Sequence, residues 1–131
     1  MDGEIVDGEI VAADDDEQIR RLVAVTLGDE FAVQTLETGQ AAWDYLETRS
    51  DSPPRLVLLD VMMPELDGFS LLERIRNEEA FADVPVLMLT SRSREEDVLR
   101  ALDAGADGYI AKPFDRRALV DQVRDLLEAS A

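Results

Sequence analysis

Three observations predict an α/β domain built on a five-stranded parallel, doubly wound sheet with helices on both faces. Five short apolar runs recur along the chain, at residues 10–13, 31–35, 56–59, 86–89 and 108–111. Longer segments with helical spacing lie between and after them, and strands that alternate with helices imply parallel pairing through right-handed crossovers. Four of the five runs are also followed at once by a residue able to do chemistry, at the strand ends where such sheets bind their ligands.

Taken in order, the run at 10–13 is wholly apolar and short enough for a buried strand, and 17–27 follows with helical spacing. The strand at 31–35 leads to a helix at 40–48, and the strand at 56–59 to a helix at 69–78. After the strand at 86–89, Ser93-Arg94-Glu95-Glu96 has the form of a capping box and opens a helix over 94–104. Gly105 stands where the end of that helix needs a left-handed residue. The last strand, 108–111, precedes the clearest helix, 116–129: Asp115 is a good N-cap, and Leu119, Val123, Leu126 and Leu127 share one face. Residues 1–8 read as an irregular lead-in, and they contain a short echo, Gly3-Glu4-Ile5-Val6 against Gly8-Glu9-Ile10-Val11. Residues 9–129 read as one domain, which suits a chain of 131 residues.

Composition narrows the chemistry. With no Cys and no His, disulfides, thiolate nucleophiles, the commonest general base and the commonest metal ligand are all excluded. Carboxylate sites for hard cations remain open. A formal charge of −17 opposes binding to nucleic acid or to an anionic membrane, so the expected partners are proteins and cations. The sequence has neither an apolar run of bilayer length nor a signal peptide, and a cytoplasmic location is expected.

The strand ends carry the chemistry. Asp14, Asp15 and Asp16 follow the first run, Asp60 the third, Thr90 the fourth and Lys112, the only lysine, the fifth. Each has an ordinary reading when taken alone. An acidic triplet caps helices, an Asp before a proline-containing loop forms turns, and Thr or Lys at a strand end often faces solvent. Together on one rim they form a different object. Packed carboxylates repel and need a cation, and a hard divalent ion such as Mg²⁺ suits oxygen ligands. With that ion and an ammonium screening it, Asp60 is placed to act as a nucleophile toward a phosphoryl group.

At these positions the sequence resembles the receiver domain of two-component response regulators, from about residue 9 to 129. The matching stretches are residues 10–17 with Asp14-Asp15-Asp16, residues 56–68 with Asp60-Val61-Met62-Met63-Pro64 and Asp67-Gly68, residues 85–90 ending in Thr90, and residues 105–114 with Lys112-Pro113-Phe114. The resemblance implies a flavodoxin-like fold in which Asp60 accepts phosphate from a histidine kinase or phosphotransfer protein. It implies that Asp14, Asp15, Asp60 and the backbone carbonyl of Met62 hold Mg²⁺, and that Lys112 contacts the phosphoryl group. Thr90 would move to hydrogen-bond it, Tyr109 would change rotamer in step, and Lys112-Pro113 would be a cis peptide. Asp16, the extra acid, is expected to cap the first helix. Met62 and Arg92 occupy the two variable positions that tune hydrolysis of the acyl phosphate, and two such bulky side chains predict a slow hydrolyser. A downstream protein would read the altered surface. Where relatives with winged-helix output carry ion-pairing charges for dimerisation, this chain has Gly108, Ala118 and Gln122, so that route is not expected.

Two competing functions fit less well. A phosphatase of the haloacid dehalogenase type needs a second Asp two residues after its nucleophile, and Met62 stands there. A receiver-like binding module that is never phosphorylated would have no use for Asp14, Asp15, Asp60, Thr90 and Lys112 together. The chain is therefore read as a switch that catalyses its own phosphorylation and dephosphorylation only.

Overall fold

The computed structural model describes residues 9–91 and 95–129. Their order is β1 (Glu9–Ala13), α1 (Glu17–Leu27), β2 (Ala32–Leu36), α2 (Gly39–Glu47), β3 (Leu56–Asp60) and α3 (Gly68–Asn77). A short 3-10 turn at Glu79–Phe81 precedes β4 (Val86–Thr90), α4 (Glu95–Asp103), β5 (Gly108–Ala111) and α5 (Arg116–Ala129). All strand pairs are parallel and the spatial order is β2-β1-β3-β4-β5. The doubly wound architecture expected from the alternation of elements is the one observed, and its strand order reverses between β1 and β3.

Alternation along the strands divides the core into two layers. Val11, Ala13, Val57, Leu59, Val86 and Met88 face a cluster that includes Ala42, Leu46, Leu72 and Ile75. The intervening Ile10, Ala12, Leu56, Leu58, Leu87 and Leu89 face Val23, Leu27, Leu119 and Val123. Successive side chains of a strand point to opposite faces, so a strand covered on both sides reads as continuously apolar. Every residue of β3 and β4 is buried.

Local chemistry sets the ends. Asp16 caps α1 by accepting from Gln18 N, as expected, and Thr38 and Asp67 cap α2 and α3 in the same way. Asp115 accepts from Ala118 N at 2.7 Å, and Gly105 has the left-handed φ of 104° expected of it. The second strand begins one residue later than its hydrophobic pattern indicates. Phe31 N donates to Leu27 O at 3.0 Å and so belongs to the turn that closes α1, while Leu36 O accepts from Asp14 N and lengthens the strand at its other end. Asp60 and Thr90 are the final residues of β3 and β4 rather than the first beyond them, because they stay in register with Leu89 and Ala111. The lead-in at residues 1–8, which holds the first copy of the echo, Arg92, and the Ser93 and Arg94 of the capping box lie outside the described residues.

Candidate functional site

Four strand ends meet where the order reverses. Asp14 follows β1 and is 1% exposed, Asp15 next to it faces outward, and Asp60 at the end of β3 is 4% exposed. One carboxylate oxygen from each of Asp14, Asp15 and Asp60 lies within 4.8 Å of the others. Lys112, just beyond β5, reaches across the rim, with its Nζ 2.7 Å from Asp14 Oδ2 and 3.4 Å from Asp60 Oδ1. Its backbone N donates to Thr90 O at 2.8 Å, which joins the ends of β4 and β5. Thr90 is fully buried, and Tyr109 is half-buried on β5 opposite Met88. Lys112-Pro113 is cis, as expected.

The loop after β3 is held close to Asp60. Met62 N points at Asp60 Oδ1 from 3.4 Å, a long contact, and the Met62 side chain is 55% exposed. Gly68 N donates to Val61 O at 3.0 Å, and a Cβ at Gly68 would stand 2.3 Å from Asp60 O. Only a residue without a side chain permits that approach of α3 to the strand end.

The electrostatics follow from this packing. Burial, and then the neighbouring Asp14 carboxylate, push the Asp60 carboxyl up to about 7, against the opposing pull of Lys112 and of Met62 N–H. Burial works against the charge on Lys112, but its hydrogen bond to Asp14 and the charges of Asp14 and Asp60 raise its pKa above the ordinary value. Three carboxylates share a pocket with one ammonium, so a further cation would lower the cost of ionising them all. Oxygen-only donors of this kind fit a hard divalent ion.

Two arginines that the hydrophobic pattern did not single out also shape the fold. Arg20 on α1 donates through Nη1 to Asp14 O at 2.8 Å. Arg76 on α3 works at the opposite end of the sheet, donating to Gly105 O, Ala82 O and Val84 O and pairing with Asp107 at 2.8 Å. The signal was present in the spacing. Arg20 precedes the buried Val23 and Leu27 by three and seven residues, and Arg76 follows the buried Leu72 and Phe69 by four and seven, so each lies on an inward stripe.

The model of the response regulator receiver domain matches residues 10–124. The chain belongs to that family. Among relatives of this receiver, the DNA-binding dual master transcriptional regulator RpaA of Synechocystis is 39% identical over 123 residues, covering 90% of this chain and 48% of the regulator. The chain thus spans about half the length of the transcriptional regulators it matches. A chemotaxis protein CheY homolog of Campylobacter jejuni is 32% identical over 122 residues and is covered over 92% of its length. Among solved structures, the chemotaxis response regulator CheY4 of Vibrio cholerae superposes with a TM-score of 0.84 at 28% identity, covering 91% of this receiver and 98% of that chain. The chain is therefore a receiver of the two-component type with the flavodoxin-like fold. Its described residues include no helix long and apolar enough to cross a membrane.

Proposed function

We propose that this receiver takes a phosphoryl group onto Asp60 in a Mg²⁺-dependent reaction and thereby switches a protein-binding surface. One observation carries the reading: the buried Asp60 carboxylate shares a pocket with the acids Asp14 and Asp15 and lies 3.4 Å from the Lys112 ammonium. The donor is a phosphohistidine of a histidine kinase or phosphotransfer protein, or a small acyl phosphate. Asp60 attacks phosphorus, a P–O bond forms as the bond to the donor breaks, and the leaving group departs with the bonding pair.

Asp14, Asp15, Asp60 and the carbonyl of Met62 are the residues that would hold Mg²⁺. When bound, that ion supplies charge neutralisation at the phosphoryl oxygens. Lys112 screens Asp60 from the incoming anion and then pairs with the acyl phosphate. Thr90, whose backbone carbonyl accepts from Lys112 N at the strand end, would turn its hydroxyl to the new oxygens, with Tyr109 adjusting on β5. The only reactions catalysed are this phosphorylation and the hydrolysis that reverses it, which Met62 and Arg92 slow.

The exposed Leu99 and Leu102 of α4 support a protein partner for the α4–β5–α5 face, reached by a population shift. A cytoplasmic location goes with this reading. The test is intact mass after incubation with acetyl phosphate and Mg²⁺. One phosphoryl group, lost on chelation and in Asp60→Ala, supports the switch. An unmodified wild type favours the unphosphorylated binding module instead.

A further inference from the structure

We infer that Arg20 is a positioning residue for the cation site, acting through the peptide that joins Asp14 to Asp15. The inference rests on the reading of those acids as Mg²⁺ ligands.

Asp14 is the point where β1 leaves the sheet. Its N–H still pairs with β2, donating to Leu36 O at 3.1 Å, but the registers with β2 and with β3 both end one residue earlier, at Ala13 opposite Leu36 and Leu59. The carbonyl of Asp14 is therefore past the last paired residue of either neighbouring strand. Arg20 Nη1 donates to that oxygen at 2.8 Å, from a side chain that is 19% exposed, and Nη2 stands 3.9 Å from Glu37 in the loop after β2. The guanidinium thus ties α1 to the end of β1 and to the turn beyond β2.

The Asp14 carbonyl is not an ordinary acceptor. It belongs to the planar unit that contains N and Cα of Asp15, so holding the oxygen holds the Cα from which the Asp15 side chain leaves the backbone. Asp14 itself is held by Lys112 and by Asp16 N, which donates to its Oδ1 at 2.9 Å. Asp15 is exposed, and the Arg20 hydrogen bond supplies its orientation from behind. Groups that orient ligands in this way typically alter metal affinity by roughly tenfold or more.

Charge and geometry predict opposite signs. Removing a cation beside an acidic cluster would by Coulomb's law tighten the binding of a divalent ion. Removing an orienting hydrogen bond would weaken it. Mg²⁺ affinity is measured by calorimetric titration of the wild type, Arg20→Ala, Arg20→Lys and, as a control for charge loss on the same helix, Arg21→Ala, with thermal midpoints recorded in the absence of metal. The expected result is about tenfold weaker binding in Arg20→Ala, partial recovery in Arg20→Lys, and unchanged or tighter binding in Arg21→Ala. If Arg20→Ala does not fold, Arg20→Lys decides, since one remaining donor gives intermediate affinity. Unchanged or tighter binding in the Arg20 variants overturns the inference. A wild type that binds no Mg²⁺ overturns the metal site itself, and the role of Arg20 with it.

Discussion

Lys112 lies closer to Asp14 than to Asp60, at 2.7 Å against 3.4 Å, and so binds the pair asymmetrically. An ammonium in that position neutralises acids that a divalent ion would also seek. Replacing it should separate two quantities that usually move together. In Lys112→Ala, Mg²⁺ affinity should rise because a competing cation is gone. Phosphorylation at saturating Mg²⁺ should slow by about a hundredfold because a charge that stabilises the transferring group is missing. Calorimetry and the rate of mass gain measure the two, and an unchanged rate would remove Lys112 from the chemistry.

The raised Asp60 pKa makes a prediction about pH. A carboxyl shifted from 3.8 to about 7 binds its proton more tightly in the folded chain than in the unfolded one. Stability that the protonated group contributes is fully present below the unfolded value and is lost as pH rises through about 7. Metal-free protein should therefore lose stability between these limits, and Asp60→Asn should flatten that slope. Mg²⁺ competes with the same proton, so its affinity should be greater at pH 8 than at about pH 6. Denaturant titrations and calorimetry across that range test both; a slope that persists in Asp60→Asn would assign it elsewhere.

Gly68→Ala places a Cβ 2.3 Å from Asp60 O, against backbone that cannot yield without moving the strand end. The cost should be about 1–3 kcal/mol in chemical denaturation, with phosphoryl acceptance falling alongside stability.

Arg76→Ala makes the opposite separation. Its bonds to Gly105, Ala82, Val84 and Asp107 join α3 to the loops that enter β4 and β5, at the end of the sheet away from Asp60. Losing them should cost about 2–4 kcal/mol, since each charge-assisted bond contributes on the order of 1 kcal/mol or more. The Mg²⁺ affinity and phosphorylation of the folded fraction should stay at the wild-type level.

Much of this molecule was readable from the chain because its strands are buried on both faces. Continuous runs such as Leu56 to Leu59, ending in Asp60, mark both a strand and the residue it presents. Caps at Asp16 and Asp115 were legible because a side-chain acceptor before a helix has a short-range purpose. The start of β2 was not, since whether Phe31 joins the strand depends on a hydrogen bond to Leu27 that pattern does not encode. The roles of Arg20 and Arg76 are hidden in the sequence for a related reason. Their value lies in backbone carbonyls brought near by the tertiary fold, and only their inward helical phase hints at it.

Asp60 is the proposed carrier of the phosphoryl group. Protein incubated with acetyl phosphate and Mg²⁺ should be reduced with borohydride, which converts an aspartyl phosphate to homoserine, then digested and sequenced by mass spectrometry. Homoserine is expected at position 60 alone, and none when Mg²⁺ is chelated. Homoserine at another aspartate, or a phosphorylated protein with position 60 unaltered, would contradict it.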